Sequence, residues 1–146
     1  MTEVGFYHLT RSTLAQALPQ LLNRTLAAGQ RALVLGTDEP ALEMLSTALW
    51  ADASWLPHGG ATDGDPDLQP VWLSTSAEPL NDARFLFLVG GARTDRVGDY
   101  ARVFDLFDGN DPEAVAAARL RWQAAREAGY QLTYWQQTET SWRKSA

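Results

Sequence analysis

The chain has 146 residues, 45% of them hydrophobic, and a formal net charge of −6. That is enough apolar chain for one domain with a full core, and an acidic balance that opposes non-specific nucleic-acid binding, because phosphate attraction needs cationic surface. With no cysteine there is no disulfide, thiolate metal site or thiol nucleophile; no apolar run approaches the ~20 residues of a membrane helix; and the start, Met1-Thr2-Glu3-Val4, lacks the marks of a signal peptide, so a soluble cytoplasmic protein is expected.

Glu3 to Leu9 alternates apolar and polar residues with aromatic content, as a strand does. Ser12 caps a helix running to about Ala28, with Leu14, Leu18, Leu21, Leu22 and Leu26 on one side and Gly29 closing it. Pro19 should kink or split it, because a mid-helix proline removes a hydrogen bond. Arg31 to Gly36 is a short apolar run that suits a buried strand, and strand–helix–strand makes a right-handed βαβ unit the default. Thr37 or Asp38 caps the next helix, Glu39 to Trp50, with Leu42, Leu45, Leu49 and Met44 toward the sheet. Ala53 to His58 is extended, and Gly59 to Gln69, rich in Gly, Asp and Pro, reads as a mobile loop. Pro70 to Ser74 and Arg84 to Val89 are strands separated by a turn at Pro79 to Ala83, and Arg93 to Tyr100 forms a helical turn.

The most informative stretch follows. Arg102 to Phe107 is a strand ending in a Gly-Asn turn. Asp111 is the N-cap of a helix over Glu113 to Ala128, Pro112 sits at its first position, Glu113 suits its positive end, and Gly129 ends it. Val115, Ala118, Trp122, Ala125 and Gly129 form its buried stripe at about 100° per residue. Arg119 and Arg126 flank the stripe and Arg121 points away, making this the densest cationic surface in an acidic chain. Tyr130 to Trp135 reads as a last strand, and Gln136 to Ala146 as a frayed polar tail. The expected fold is one domain over residues 1–146: α/β, three-layer and Rossmann-like, with a mostly parallel sheet and helices on both faces.

The motifs of catalysis and cofactor binding are missing. The loop Leu9-Thr10-Arg11-Ser12 lacks the glycines that let a pyrophosphate approach a helix N-terminus, and there is no Walker A motif. Gly90-Gly91 reads as a turn rather than a phosphate cradle. Asp63, Asp65 and Asp67 copy the start of a calcium loop, but Leu68 stands where its glycine belongs and Ser74 where its bidentate glutamate belongs. A nucleophilic triad would need His8 or His58 with no nucleophile elbow in sight; His8 reads as an edge or hydrogen-bonding residue and His58 as a turn residue. No enzyme activity, metal or cofactor is expected.

Several pieces in order resemble the chi subunit family of bacterial DNA polymerase III, the clamp-loader accessory proteins. They are Phe6-Tyr7-His8-Leu9, the Gly29-x-Arg31-x-Leu33-Val34-Leu35 strand, Ala48-Leu49-Trp50, Trp55-Leu56-Pro57-His58, Val103-Phe104-Asp105, Arg119-Leu120-Arg121-Trp122 and Ala128-Gly129-Tyr130. The resemblance implies a Rossmann-like domain that binds no nucleotide and catalyses nothing. It implies two partners: the psi subunit of the clamp loader, and the acidic C-terminal tail of single-stranded-DNA-binding protein. For the tail, which ends in a phenylalanine carboxylate, Arg119 matches the carboxylate-binding position and Phe107 a wall position, with Arg121 and Arg126 adding field. Val115 and Gln123 stand one turn before and after Arg119 at positions often basic in the family, which implies weaker or less salt-sensitive tail binding.

For psi, or an accessory helicase on the same face, Trp50 and Trp55 match partner-binding positions, flanked by Leu49 and Leu56. Two other functions compete with this one. A flavodoxin-like enzyme would bind a small molecule or nucleotide near Leu9-Thr10, Gly36-Thr37 or Gly90-Gly91. Direct DNA binding conflicts with the net charge.

Overall fold

The computed structural model describes residues 2–52, 56–60, 63–138 and 142–145. Their strands form one sheet: β1 (Glu3–Leu9), β2 (Ala32–Leu35), β3 (Gly59–Gly60), β4 (Val71–Ser74), β5 (Phe85–Leu88), β6 (Arg102–Asp108), β7 (Gln131–Gln137) and β8 (Trp142–Lys144). The spatial order is β3-β4-β2-β5-β6-β1-β7-β8. Every pairing is parallel except β7 with β8. Three helices are interspersed: α1 (Leu14–Ala27), α2 (Glu39–Ala51) and α3 (Pro112–Glu127).

The direction of each connection explains where the helices lie. α1 and α2 carry the chain one way along the sheet and α3 carries it the other way. Right-handed crossovers then place α3 opposite the other two. The cores agree. Leu18, Leu21 and Leu22 of α1 share one buried cluster with Leu42, Leu45 and Leu49 of α2. Ala118 of α3 belongs to a second cluster with Val4, Phe6, Val103 and Phe107. The connections after β4 and β5, which hold no α-helix, run in α3's direction, and their Ala77, Ala83, Ala92 and Tyr100 fall in α3's cluster.

Local chemistry sets the helix ends. Thr13, not Ser12, caps α1, in a reciprocal capping box with Gln16. Asp38 caps α2 through the Ala41 N–H and Asp111 caps α3 through that of Glu113. α1 and α3 both end in a Schellman pair: Gln30 and Gly29 donate to Thr25 and Leu26, and Tyr130 and Gly129 donate to Ala125 and Arg126. Pro19 does not split α1, which is continuous past it. The proline forfeits one bond, to the Ala15 carbonyl, while its ring is buried in the core.

Three other expectations are corrected. The Gly59 to Gln69 segment is no plain loop: Gly59 and Gly60 form an edge strand on β4, and Pro66–Leu68 a 3-10 turn. The polar tail is not simply frayed, because Trp142–Lys144 pairs antiparallel with β7 and the Trp142 ring meets Tyr7 edge-on at 5.1 Å. Met44 is exposed rather than sheet-facing; two residues from Leu42, it sits about 200° around the helix. His8 is the hydrogen-bonding residue expected, engaging the Tyr134 hydroxyl and the Gly109 carbonyl on a strand that lies between β6 and β7 rather than at an edge.

The β1–α1 loop is tied down from the far end of the chain. The Oε1 of Gln137 accepts the N–H groups of Thr10, Arg11 and Ser12 at 3.1, 2.9 and 3.2 Å, and its Nε2 donates to the Ser12 hydroxyl. Gln137→Ala is expected to cost about 1–2 kcal/mol and to accelerate amide hydrogen exchange at those three residues. Unchanged exchange there would show that the carboxamide does not hold the loop.

Candidate functional site

Several cavities open among the described residues, and two of them lie at the expected sites. The first is the topological switch point, where β1 and its neighbour β6 leave the sheet in opposite directions. An open cavity of about 770 Å³ lies there, reached by Thr10, Gly90, Gly91 and Asp111. Its chemistry does not suit an anion. The three successive N–H groups of the β1–α1 loop, which could cradle a phosphate, are bound to Gln137. Gly90 and Gly91, both at positive φ, form a turn closed by the Ala92 N–H on the Val89 carbonyl.

The second place is beside α3. The helix lies over the sheet with its stripe down, Ala118 buried and Val115, Trp122 and Ala125 half-buried. Between its Arg119 flank and β7 lies a cavity of about 350 Å³ walled by Phe107, Val115, Trp122 and Tyr134. The walls are aromatic and cross-braced. Trp122 meets Tyr134 edge-on at 5.8 Å between ring centroids and meets Phe6 at 5.2 Å, and Phe107 lies 6.3 Å from Tyr134. Parity places these walls, because Phe107 on β6 and Tyr134 on β7 both face the α3 side of the sheet.

Arg119 stands at the rim of this cavity, exposed, and its side chain has no hydrogen bond or ion pair among the described residues. Glu113 does not pair with it. The Tyr134 hydroxyl lies in its field: burial pushes the phenol up from its ordinary value, and the Arg119 charge pulls it down. A free guanidinium beside an aromatic slot suits a ligand with a carboxylate next to an aromatic ring.

The other named residues fall less simply. Arg121 does not point away. Three residues from Ala118, it sits about 60° from it on the flank opposite Arg119. From there it reaches inward to Asp105, with Nε–Oδ2 at 2.6 Å and Nη2–Oδ1 at 3.0 Å, its side chain only 10% exposed. Its charge is therefore already partnered. Arg126 is exposed in the last turn of α3, two turns beyond Arg119, and does not line the cavity. Phe107 is buried, yet one of the walls. Trp122 was expected in the stripe, but neither it nor Tyr134 was expected in a site.

On the α2 side, Trp50 is 51% exposed and its ring lies 4.2 Å from that of His58. His58 is a buried structural residue. Its Nδ1 donates to the Leu56 carbonyl and its Nε2 faces the Ser46 hydroxyl at 2.8 Å. Leu49 and Leu56, expected to flank Trp50 at the surface, are each 1% exposed and belong to the core. Leu49 continues the buried stripe of α2, one turn from Leu45. Trp55 lies outside the described residues.

Fold and cavity together describe a mostly parallel α/β domain with an aromatic-walled cavity at the side of one helix. Residues 1–133 match the model of the DNA polymerase III chi subunit, HolC, and the chain belongs to that family. A probable DNA polymerase III subunit chi from Rickettsia prowazekii (strain Madrid E) is 26% identical over 109 residues, an alignment covering 71% of this chain and 66% of the relative. That alignment spans just under two thirds of the relative's length. No helix among the described residues is long and apolar enough to cross a membrane.

Proposed function

We propose that this protein is a non-catalytic, cytoplasmic accessory subunit of the replicase clamp loader, a Rossmann-like domain that bridges the psi subunit and the acidic C-terminal tail of single-stranded-DNA-binding protein. The observation that carries the tail role is Arg119, unpaired at the rim of a cavity walled by Phe107, Trp122 and Tyr134. The guanidinium takes the terminal carboxylate, the aromatic walls take the phenylalanine ring, and Arg126 adds a weaker field along the helix. Arg121 is neutralised by Asp105 on the opposite flank of the helix and adds little charge to the cavity. Trp50, exposed on its His58 base, is the anchor for psi or for an accessory helicase. A flavodoxin-like role at the switch point is disfavoured by Gln137, which occupies the loop N–H groups a phosphate would need.

The test is a titration with a fluorescent acidic peptide ending in phenylalanine, at two salt concentrations. Wild type is expected to bind in the micromolar range. Arg119→Ala or amidation of the peptide's terminus is expected to weaken binding at least about tenfold, the worth of one charge-assisted pair. Equal binding of free-acid and amidated peptides would overturn the assignment.

A further inference from the structure

His8 is half-buried on β1, directly beneath the Arg119 cavity, with its ring 5.1 Å from Phe107 and 5.9 Å from Tyr134. Its two nitrogens have different partners, and these fix the neutral tautomer. Nε2 lies 3.3 Å from the Gly109 carbonyl, which can only accept, so Nε2 carries the proton. Nδ1 lies 2.6 Å from the Tyr134 hydroxyl and, unprotonated, can only accept. The phenolic proton is thereby committed to His8, and Tyr134 has only lone pairs left to offer. Tyr134 is also a wall of the Arg119 cavity. A carboxylate entering that cavity meets the Arg119 guanidinium and, at Tyr134, a hydroxyl that can only accept.

A second proton on His8 reverses this polarity. Nδ1–H then donates to the Tyr134 oxygen, and the phenolic proton is released to point at the ligand. No heavy atom has to move, and one positive charge is added beneath the cavity. We propose that His8, through its protonation, decides whether Tyr134 presents a lone pair or a hydroxyl proton to the Arg119 cavity, so that a carboxylate-ended peptide is held more tightly as the pH falls. This rests on reading the cavity as a carboxylate receptor.

The groups around His8 come from three elements and one turn. β6 contributes the neutral Phe107, β7 contributes Tyr134 and the neutral Gln136, and α3 contributes Arg119. In the turn at Gly109, Asp108 accepts the Asn110 N–H and Asp111 that of Glu113; neither carboxylate binds the imidazole. Histidine is the side chain that ordinarily changes charge between about pH 5 and 8, a window in which the peptide's carboxylates stay ionised.

The experiment is the same peptide titration at about pH 8 and about pH 5.5, at constant ionic strength. Wild type is expected to bind several-fold more tightly at the lower pH. Tyr134→Phe should bind with much of that slope gone, and His8→Gln should be flat. Imidazole ¹H–¹⁵N spectra of the free protein provide a readout that needs no peptide and should show the Nε2–H tautomer of His8 at the higher pH. A flat wild type whose binding is still lost in Arg119→Ala overturns the switch alone, as does a slope that survives in His8→Gln. An Nδ1–H tautomer overturns the switch whatever the peptide does. No binding at either pH overturns the receptor reading, and the switch with it.

Discussion

Arg121→Ala is expected to destabilise the protein by about 3–5 kcal/mol, the range for removing one partner of a buried ion pair. Asp105 sits on a central strand with its side chain 3% exposed, and Arg121 clasps both its oxygens. Without the guanidinium the carboxylate keeps its full desolvation cost and loses its compensation. Replacing both residues by apolar ones of similar volume is expected to recover much of the loss, because the cost lies in the orphaned charge rather than in the missing bond.

The pH dependence of that variant follows from the sign of the shift. Burial pushes the Asp105 carboxyl above its ordinary value, against the two hydrogen bonds and the charge of Arg121, which pull it down. A carboxyl raised on folding binds its proton more tightly in the folded state, so it costs stability as the pH rises through the folded value and that cost is relieved below it. Removing Arg121 leaves burial unopposed and enlarges the rise. The deficit of Arg121→Ala should therefore be largest near neutrality and shrink on acidification. Urea unfolding of wild type and variant at two pH values measures this, and an equal deficit at both would show that Asp105 is not its source.

Gly109→Ala should have the second-largest effect, about 3 kcal/mol at the upper end of the overpacking range. A Cβ at Gly109 would lie 1.8 Å from His8 Cδ2 and 2.8 Å from the Leu9 carbonyl, which already accepts the Gly109 N–H at 2.6 Å. The imidazole cannot retreat far, because Phe107 and Tyr134 hold it. The turn must move instead, taking the start of α3 with it. Stability and peptide affinity should thus fall together. Gly64→Ala is the control: it meets no atom within 4 Å and has only its φ of +67° to resist it, a strain of about 1 kcal/mol. Equal losses in the two variants would show that backbone conformation rather than close approach matters at Gly109.

The main elements were legible because their signals are local. The apolar runs at Ala32–Leu35 and Phe85–Leu88, the cap and proline at Asp111-Pro112 and the glycine at Gly129 each act within a few residues. Arg119 as an exposed flank of the α3 stripe followed from the helical period. Even the Asp105 pair left a trace: a carboxylate between Val103 and Phe107, in a strand buried on both faces, needs a cation opposite. Arg121 borders the stripe at the angle to supply it.

What escaped was whatever depends on which elements become neighbours. β8 is a strand because β7 offers it an edge, not because Trp142-Arg143-Lys144 reads as one. Gly59 and Gly60 pair for the same reason. His8 and Tyr134 are 126 residues apart, and only the β1–β7 register brings the imidazole to the phenol. The sequence by itself determined the helices, most of the strands and the exposed arginine, because periodicity and capping are properties of a single segment. Only the tertiary structure decided that Arg121 is spent on Asp105, that Gln137 fills the switch-point loop and that an aromatic cavity opens beside Arg119, because strand order and register are not written in any one segment.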